Sequence, residues 1–575
     1  MKRDKFNVLI ITIGTMLSIN LLAELKDPSF LSATNSWSMS TLNKMSLREK
    51  IGQLFVATVS QEQVLANMGT MKNPQCSNEY VEFLIESYHV GGILFLGRST
   101  IKDQINLTNH YQCLSTTPLL VLQDLEWGLQ MRLNDAIRFP RNIALGAIQN
   151  ESLIKDLGYE IGNQCKAIGV HINLAPVIDI NNNASNPVIG TRSFGENPQR
   201  VAKYGVLYMQ GLQNAGILAC AKHFPGHGDT HQDSHITLPT IDHSFERLKS
   251  IELYPFQRLI NAGIDAVMPA HLRIPAIDPH AISTVSYPII TELLKQQMRF
   301  KGLVITDALN MGALKNAVPG DVELQAFLAG NDLFLCSLDI PKAIDAFEDA
   351  INRGIISQKE LDACVLKILQ AKEYLGLHKK RCVEDIDSTM INTPQTQELK
   401  KKLYKESITL VKNNNMLPLK KKQNLCVLQI GGEKDSMFSQ VLRKANVGKI
   451  NYVPAKMTHQ NVKKCVNNCA KASTIIVGLF DIEKSARIKN FGITKETLQL
   501  INQFKKSNKK VILSLFGNPY SLALFGKEDA IIMAYEDDPD AQHSAAEVIL
   551  GKAKPTGKLP ITASNQFSYG TGLSL

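Results

Sequence analysis

An α/β chain, with an N-terminal (β/α)8 barrel of the TIM type followed by a smaller C-terminal α/β sandwich, is the architecture this sequence predicts. Three observations lead there. Eight short, almost continuous apolar runs recur between residues 50 and 340. Stretches of helical periodicity separate them. A polar break around residue 380 is then followed by five more apolar runs. Strands that are apolar throughout are buried on both faces, as in a parallel sheet with helices outside. Eight strand–helix units in ~300 residues fit a barrel.

Residues 1–26 open the chain with Lys2, Arg3 and Lys5, then a mostly apolar stretch that turns polar at Glu24. This is the layout of an export signal. Thr12, Thr15, Ser18 and Asn20 interrupt it, and Leu21 is a poor partner for cleavage after Ala23, so retention as a membrane anchor is open. A lipoprotein is not expected, because the first cysteine is Cys76.

The catalytic unit is expected over 40–377, with strands at 53–57, 92–97, 119–122, 172–177, 218–223, 265–271, 303–307 and 332–336. Helical periodicity is clearest at 153–168, 199–215 and 245–262. Residues 378–400 read as a linker, and 401–575 as the second domain. Its strands are expected at 408–411, 425–430, 474–479, 511–516 and 530–534, in a doubly wound arrangement.

Composition narrows the partners. The formal charge is +10, with lysine runs at 400–402 and 420–422. Such short runs read as solvated surface, with attraction to an anionic cell wall as the sharper alternative. No basic stripe with interleaved aromatics is present, which argues against nucleic acid. The ten cysteines lack the spacing of a disulfide framework. Cys113, Cys165, Cys220, Cys336, Cys364 and Cys426 read as small core side chains, and Cys465 with Cys469 lacks the further ligands of a zinc site. That usage suits a reducing compartment, against which the export signal carries more weight. Oligomeric state is not legible.

In a barrel, chemistry gathers where strands end. Here the third strand ends in Asp124 and Glu126, with Arg132 beyond, and the fourth ends at Asp179. The fifth runs into Lys222 and His223, and then a long loop reaching Asp233 and His235. The sixth ends at His271 and the seventh at Asp307. Five polar strand ends imply one shared site. His223, His227, His231 and His235 recur every four residues, but Pro225, Gly226 and Gly228 forbid the helix that would align them on a metal. Asp233 and His235 would point the same way in extended backbone, an arrangement suited to a general acid. Asp307 alone reads equally as a nucleophile or a helix N-cap.

The run 222–235 (KHFPGHGDTHQDSH) resembles the signature of glycoside hydrolase family 3 β-N-acetylglucosaminidases, the NagZ-type enzymes. The pair Asp124 and Arg132, residues 186–195 (NPVIGTRSFG), 268–271 (MPAH) and 302–311 (GLVITDALNM) support the resemblance over about 45–375. Residues 407–413 (SITLVKN) and 551–562 (GKAKPTGKLPIT) resemble the C-terminal sandwich of two-domain members. The resemblance implies a retaining hydrolase that removes N-acetylglucosamine from cell-wall fragments without metal or organic cofactor. Asp307 would be the nucleophile, and His235 with Asp233 the acid/base. Asp124, Arg132, Arg192, Lys222 and His223 would hold the sugar. Trp127 departs from the family pattern. Lys222 and Arg192 suggest a positive local potential that would admit phosphate as an alternative acceptor. The rival readings are an N-acetylglucosaminide phosphorylase, a family 3 β-glucosidase or β-xylosidase with Glu536 as acid, and a silent wall-binding protein.

Overall fold

The computed structural model describes residues 25–32, 36–60, 77–233, 238–314, 317–420 and 424–575. The export segment therefore lies outside the described residues, apart from its last two positions. Eight parallel strands form the first sheet: β1 (Phe55–Ser60), β2 (Gly92–Leu96), β3 (Leu120–Gln123), β4 (Ile172–Asn173), β5 (Leu218–Phe224), β6 (Ala266–Pro269), β7 (Leu303–Val304) and β8 (Phe334–Leu335). Their order is β7-β6-β5-β4-β3-β2-β1-β8. A parallel bridge between Ile305 and Leu333 joins the two ends, and the Leu309 N–H donates to the Leu335 carbonyl at 3.0 Å. The curled sheet is the expected TIM-like barrel. β3 and β5 are buried at every position, as their continuous apolar runs require.

The helices begin where short polar side chains accept early backbone N–H groups. Asn197 caps Pro198–Asn214, and Ser357 closes a capping box on Gln358–Tyr374. The single helix expected over 245–262 is two, Phe245–Ser250 and Leu253–Asn261. Pro255 falls in the first turn of the second, where its missing N–H costs nothing.

The second sheet has six strands: β9 (Thr409–Asn413), β10 (Leu425–Ile430), β11 (Lys449–Val453), β12 (Thr474–Leu479), β13 (Lys510–Leu515) and β14 (Ala530–Met533). The order is β11-β10-β12-β13-β14-β9, parallel except for β9 against β14. Sequence reading misses β11. It is an edge strand exposed at Lys449 and Tyr452, so it lacks a continuous apolar run. The stretch read as a linker holds the helix Ser388–Ile391 and the first half of Pro394–Ser407. Thr393 caps the latter and Pro394 occupies its first turn, so the proline starts a helix there.

The cysteine reading needs a correction. Cys426 on β10 and Cys469 form a disulfide across 43 residues. Parallel pairing of β10 with β12 brings these distant positions together, which spacing alone cannot reveal. Among the described residues, no helix is long and apolar enough to cross a membrane.

The two domains interlock. Ile143, Ala144 and Ala147, beyond β3 of the barrel, join the apolar core of the second domain. Glu196 accepts from the backbone N–H and hydroxyl of Thr562 at 2.6 and 2.7 Å, and Tyr520 donates to the Asn181 carbonyl at 3.1 Å. Gly195, at φ +139°, lies so close to Pro560 that a β-carbon would stand 2.3 Å from its carbonyl oxygen.

Candidate active site

A pocket of about 320 Å³ opens at the carboxyl ends of the barrel strands. Asp124, Glu126, Trp127, Arg132, Arg192, Lys222, His223, His227 and Asp307 line it together with apolar side chains such as Met131, Met268 and Leu335. Strand β3 delivers Asp124 and Glu126, β5 delivers Lys222 and His223, and the end of β7 delivers Asp307. The Lys222–His223 peptide is cis, and both consecutive side chains face the pocket.

The charged groups form one network. Lys222 Nζ donates to Asp124 Oδ1 at 2.6 Å and lies 3.1 Å from Glu126 Oε1. Arg132 donates to the other oxygen of Asp124 at 2.9 Å. Arg192 clasps Glu126 with Nε and Nη2, the shortest contact being 2.6 Å. Burial alone would raise both carboxyl pKa values. Lys222 and Arg132 outweigh it at Asp124, and Arg192 and Lys222 at Glu126, so both are held well below the usual carboxylate range. Buried charges demand such pairing. The four carboxylates Asp124, Glu126, Asp179 and Asp307 here face three permanent cations, Arg132, Arg192 and Lys222. The positive potential expected from Lys222 and Arg192 is therefore cancelled by their partners.

Asp179, at the end of the fourth strand segment, organises the next turn. Its Oδ2 lies 2.7 Å from His223 Nδ1, and its Oδ1 accepts from the His227 N–H at 2.7 Å. An ionised Asp179 fixes the proton on Nδ1 and leaves Nε2 of His223 toward the pocket. Burial depresses His227 to a pKa of about 4. The loop after β5 is pinned by Asn186, which donates to the carbonyls of His227 and Gly228 at 2.9 and 2.8 Å. A β-carbon at Gly228 would stand 1.7 Å from the Ile180 carbonyl oxygen, so only glycine fits that bend.

Asp307 does not cap a helix: the next helical residues begin at Gly312. Its Oδ1 accepts from the Ala308 N–H at 2.8 Å. Burial opposes its ionisation, but His271, His223, the Ala308 N–H and Lys222 together lower its pKa. His271 is held by Thr284 at 2.6 Å and the Ala308 carbonyl at 2.9 Å. Asp307 is thus a carboxylate presented to the cavity with no Lys or Arg ion-paired to it among the described residues.

Asp233 lies at the end of the described loop and forms an ion pair with Arg487 of the second domain. His235 lies outside the described residues. No group of three or more potential metal ligands occurs among the described residues. Glu536, the alternative acid, is buried, ion-paired to Arg138 and hydrogen-bonded to the Arg141 N–H. It is occupied as a brace between domains. Trp127 packs under the Arg141 guanidinium, 3.8 Å from its ring centroid.

Sequence reading assigns no role to Glu126, Asp179, Asn186 or Arg487. Glu126 and Asp179 were legible as polar residues at strand ends. Arg487 carries no signal, since its contact exists only through domain packing.

Residues 46–371 match the glycosyl hydrolase family 3 N terminal domain, and 408–570 the glycosyl hydrolase family 3 C-terminal domain. The chain is 29% identical over 547 residues to beta-hexosaminidase A of Pseudoalteromonas piscicida, spanning 84% of this chain and 90% of that one. It is also 29% identical over 398 residues to a beta-N-acetylglucosaminidase/beta-glucosidase of Cellulomonas fimi, spanning 67% and 68%. In structure it resembles a glycoside hydrolase family 3 beta-N-acetylglucosaminidase from Paenibacillus sp. str. FPU-7, with a TM-score of 0.74 and 30% identity over 90% of this chain and 98% of that one.

Proposed function

The chain belongs to glycosyl hydrolase family 3 and is a glycosidase, and from that premise we propose that it is a retaining β-N-acetylglucosaminidase acting on cell-wall fragments. The observation that carries the reading is Asp307. It stands ionised in a pocket that also holds Asp124, Arg132, Arg192 and Lys222, which offer charge-assisted hydrogen bonds to sugar hydroxyls. The names of the relatives support N-acetylglucosamine as the terminal sugar.

In this mechanism Asp307 attacks the anomeric carbon as the glycosidic bond breaks, forming a covalent glycosyl ester through an oxocarbenium-like transition state. His235 gives its proton to the departing oxygen and Asp233 stabilises the imidazolium. Water, deprotonated by His235, then releases the sugar with the β configuration retained. His223, oriented by Asp179, joins the sugar-binding wall. Phosphate could replace water chemically, but the paired state of Lys222 and Arg192 gives it no special attraction at the reacting centre, so hydrolysis is the reading adopted.

We further propose that the protein works outside the cytoplasm. The basic and then apolar composition of residues 1–24 supports this, as does the disulfide between Cys426 and Cys469, a bond rare in reducing compartments. Fractionation of cells carrying the full chain tests export, and its size there distinguishes cleavage from anchoring. Nitrophenol release from the β-N-acetylglucosaminide against the β-glucoside tests the activity. A rate no higher on the former sinks the sugar assignment, and inertness on both favours a wall-binding protein.

A further inference from the structure

Two thiols of the barrel stand apart from the rest. Cys165, Cys220, Cys336, Cys364 and Cys465 are free and buried, as small core side chains should be. Cys113, expected in the core, is exposed on the last turn of the helix Ile101–Leu114, which joins β2 to β3. Cys382 is half-buried in the segment that leaves the barrel for the second domain. The two are 269 residues apart in the chain, yet their Sγ atoms stand 4.0 Å from each other.

The backbone is pinned on both sides of Cys382. Arg381 Nη1 donates to the carbonyls of Gln112 and Ser115 at 3.3 and 2.7 Å. The Val383 N–H donates to Asn109 Oδ1, and Asn109 Nδ2 donates back to the Val383 carbonyl, both at 2.9 Å. Arg381 and Val383 thus hook the exit segment onto residues that flank Cys113. A disulfide needs an S–S distance of about 2.05 Å, and the gap left here is on the scale of a side-chain rotation. The bond between Cys426 and Cys469 shows that this fold accommodates disulfides.

We propose that Cys113 and Cys382 are a second disulfide site, formed by exchange with an external disulfide, which ties the exit segment to the helix after β2. The exposed Cys113 thiol loses its proton and attacks one sulfur of the external disulfide, and one thiolate leaves. The Cys382 thiolate then attacks the Cys113 sulfur of the mixed disulfide and expels the second thiolate. The two cysteines give up two electrons and two protons, and the external disulfide becomes two thiols. Burial, with Cys113 beside it, holds the Cys382 thiol above its ordinary range, which suits the second nucleophile. The bond closes a loop that contains β3 to β8. Closing so long a loop removes much chain entropy from the unfolded state, so the cross-link stabilises the barrel. It leaves the pocket alone, since neither cysteine lines it.

The test equilibrates the folded full chain with a mixture of oxidised and reduced glutathione, alkylates the remaining thiols, and digests with trypsin without reduction. Cleavage after Lys and Arg leaves Cys113 as the one cysteine of fragment 103–132 and Cys382 as the one cysteine of fragment 382–400. Mass spectrometry of the linked pair therefore identifies the bond. The proposal expects that linked pair in most molecules. It expects no linked pair in Cys382→Ser, where Cys113 instead carries a glutathione. The linked form should melt about 5 °C above the double variant Cys113→Ser, Cys382→Ser in the same buffer, the scale for a long-loop disulfide in a large domain. Separate alkylation of both cysteines in most molecules overturns the proposal, as does linkage of Cys113 to Cys76 or any other cysteine. Glutathione retained on Cys113 of the parent chain, with Cys382 free, overturns it too. A linked pair with no gain in melting temperature overturns the stabilising role and keeps the bond.

Discussion

The barrel mouth and the domain seam handle charge in opposite ways. At the mouth, Arg132, Arg192 and Lys222 each meet Asp124 or Glu126 at hydrogen-bond distance, so every cation of this network has a carboxylate in contact. At the seam, Arg138 pairs with the buried Glu536, which also accepts from the Arg141 backbone N–H, while the Arg141 Nε is buried without a hydrogen-bond partner among the described residues. The mouth is built from strand ends, whose register fixes side chains tightly, so each of these buried cations is set against a carboxylate. The seam is built from loops of two separately folded sheets, and its charges are matched only in part. A fully paired network suits rigid positioning of a neutral sugar.

The largest expected effect tests the chemistry at the mouth. Asp307→Ala should lower kcat by ~10³-fold or more while the melting temperature stays within a few degrees. Turnover within tenfold of the parent would show that the cavity's open carboxylate is not the nucleophile. Glu126→Ala should come next, because it strands the Arg192 guanidinium in a buried place and leaves Lys222 with Asp124 alone. A loss of about 3–5 kcal/mol in stability is the scale for breaking a buried pair, and urea unfolding measures it. If stability hardly changes, the mouth is not the paired network described.

A third test moves to the opposite end of the barrel. Lys372 is fully buried with Gln53 Oε1 as its partner at 2.6 Å, and burial lowers its pKa from 10.5 to about 7. Between those values the unfolded chain binds more protons than the native one, so stability should fall as pH drops from about 10.5 to 7 and level off below. Lys372→Met should flatten that slope and raise stability at neutral pH, by an amount on the order of 2 kcal/mol. An unchanged slope in denaturant titrations across this window would show that Lys372 reaches water.

At the seam, Glu536→Gln should cost about 1–3 kcal/mol of stability, the scale of weakening a buried charged hydrogen bond. Its activity on aryl β-N-acetylglucosaminides should stay within tenfold across a leaving-group series. A loss that grows as the leaving group worsens would restore Glu536 as the acid. The smallest effect belongs to Arg487. In the proposed His235–Asp233 dyad, replacing Arg487 with alanine removes a competitor for the carboxylate, which should raise the imidazole pKa and shift the basic limb of the kcat/KM profile upward. A change of a few fold near neutral pH is the expected size. A profile that does not move would limit the Arg487 contact to domain packing.

Much of this was legible before the fold was known. The apolar runs from 53 to 336 mark the barrel strands, because strands buried on both faces leave no polar alternation. β11 escapes the same reading because an edge strand need not be apolar. Asp124, Arg132, Arg192, Lys222, His223 and Asp307 could be chosen from strand ends and motif, and they share one pocket. Sequence by itself thus determined the elements and which polar residues sit at their ends, since periodicity and chain direction are local properties. Tertiary structure alone decided the pairings. That Glu126 neutralises Arg192, that Asp179 orients His223, that Cys426 meets Cys469 and that Arg487 reaches Asp233 all depend on segments 43 to 254 residues apart being brought within bonding distance by two sheets and their docking. Local sequence carries no record of such distances, because packing of the whole chain sets them.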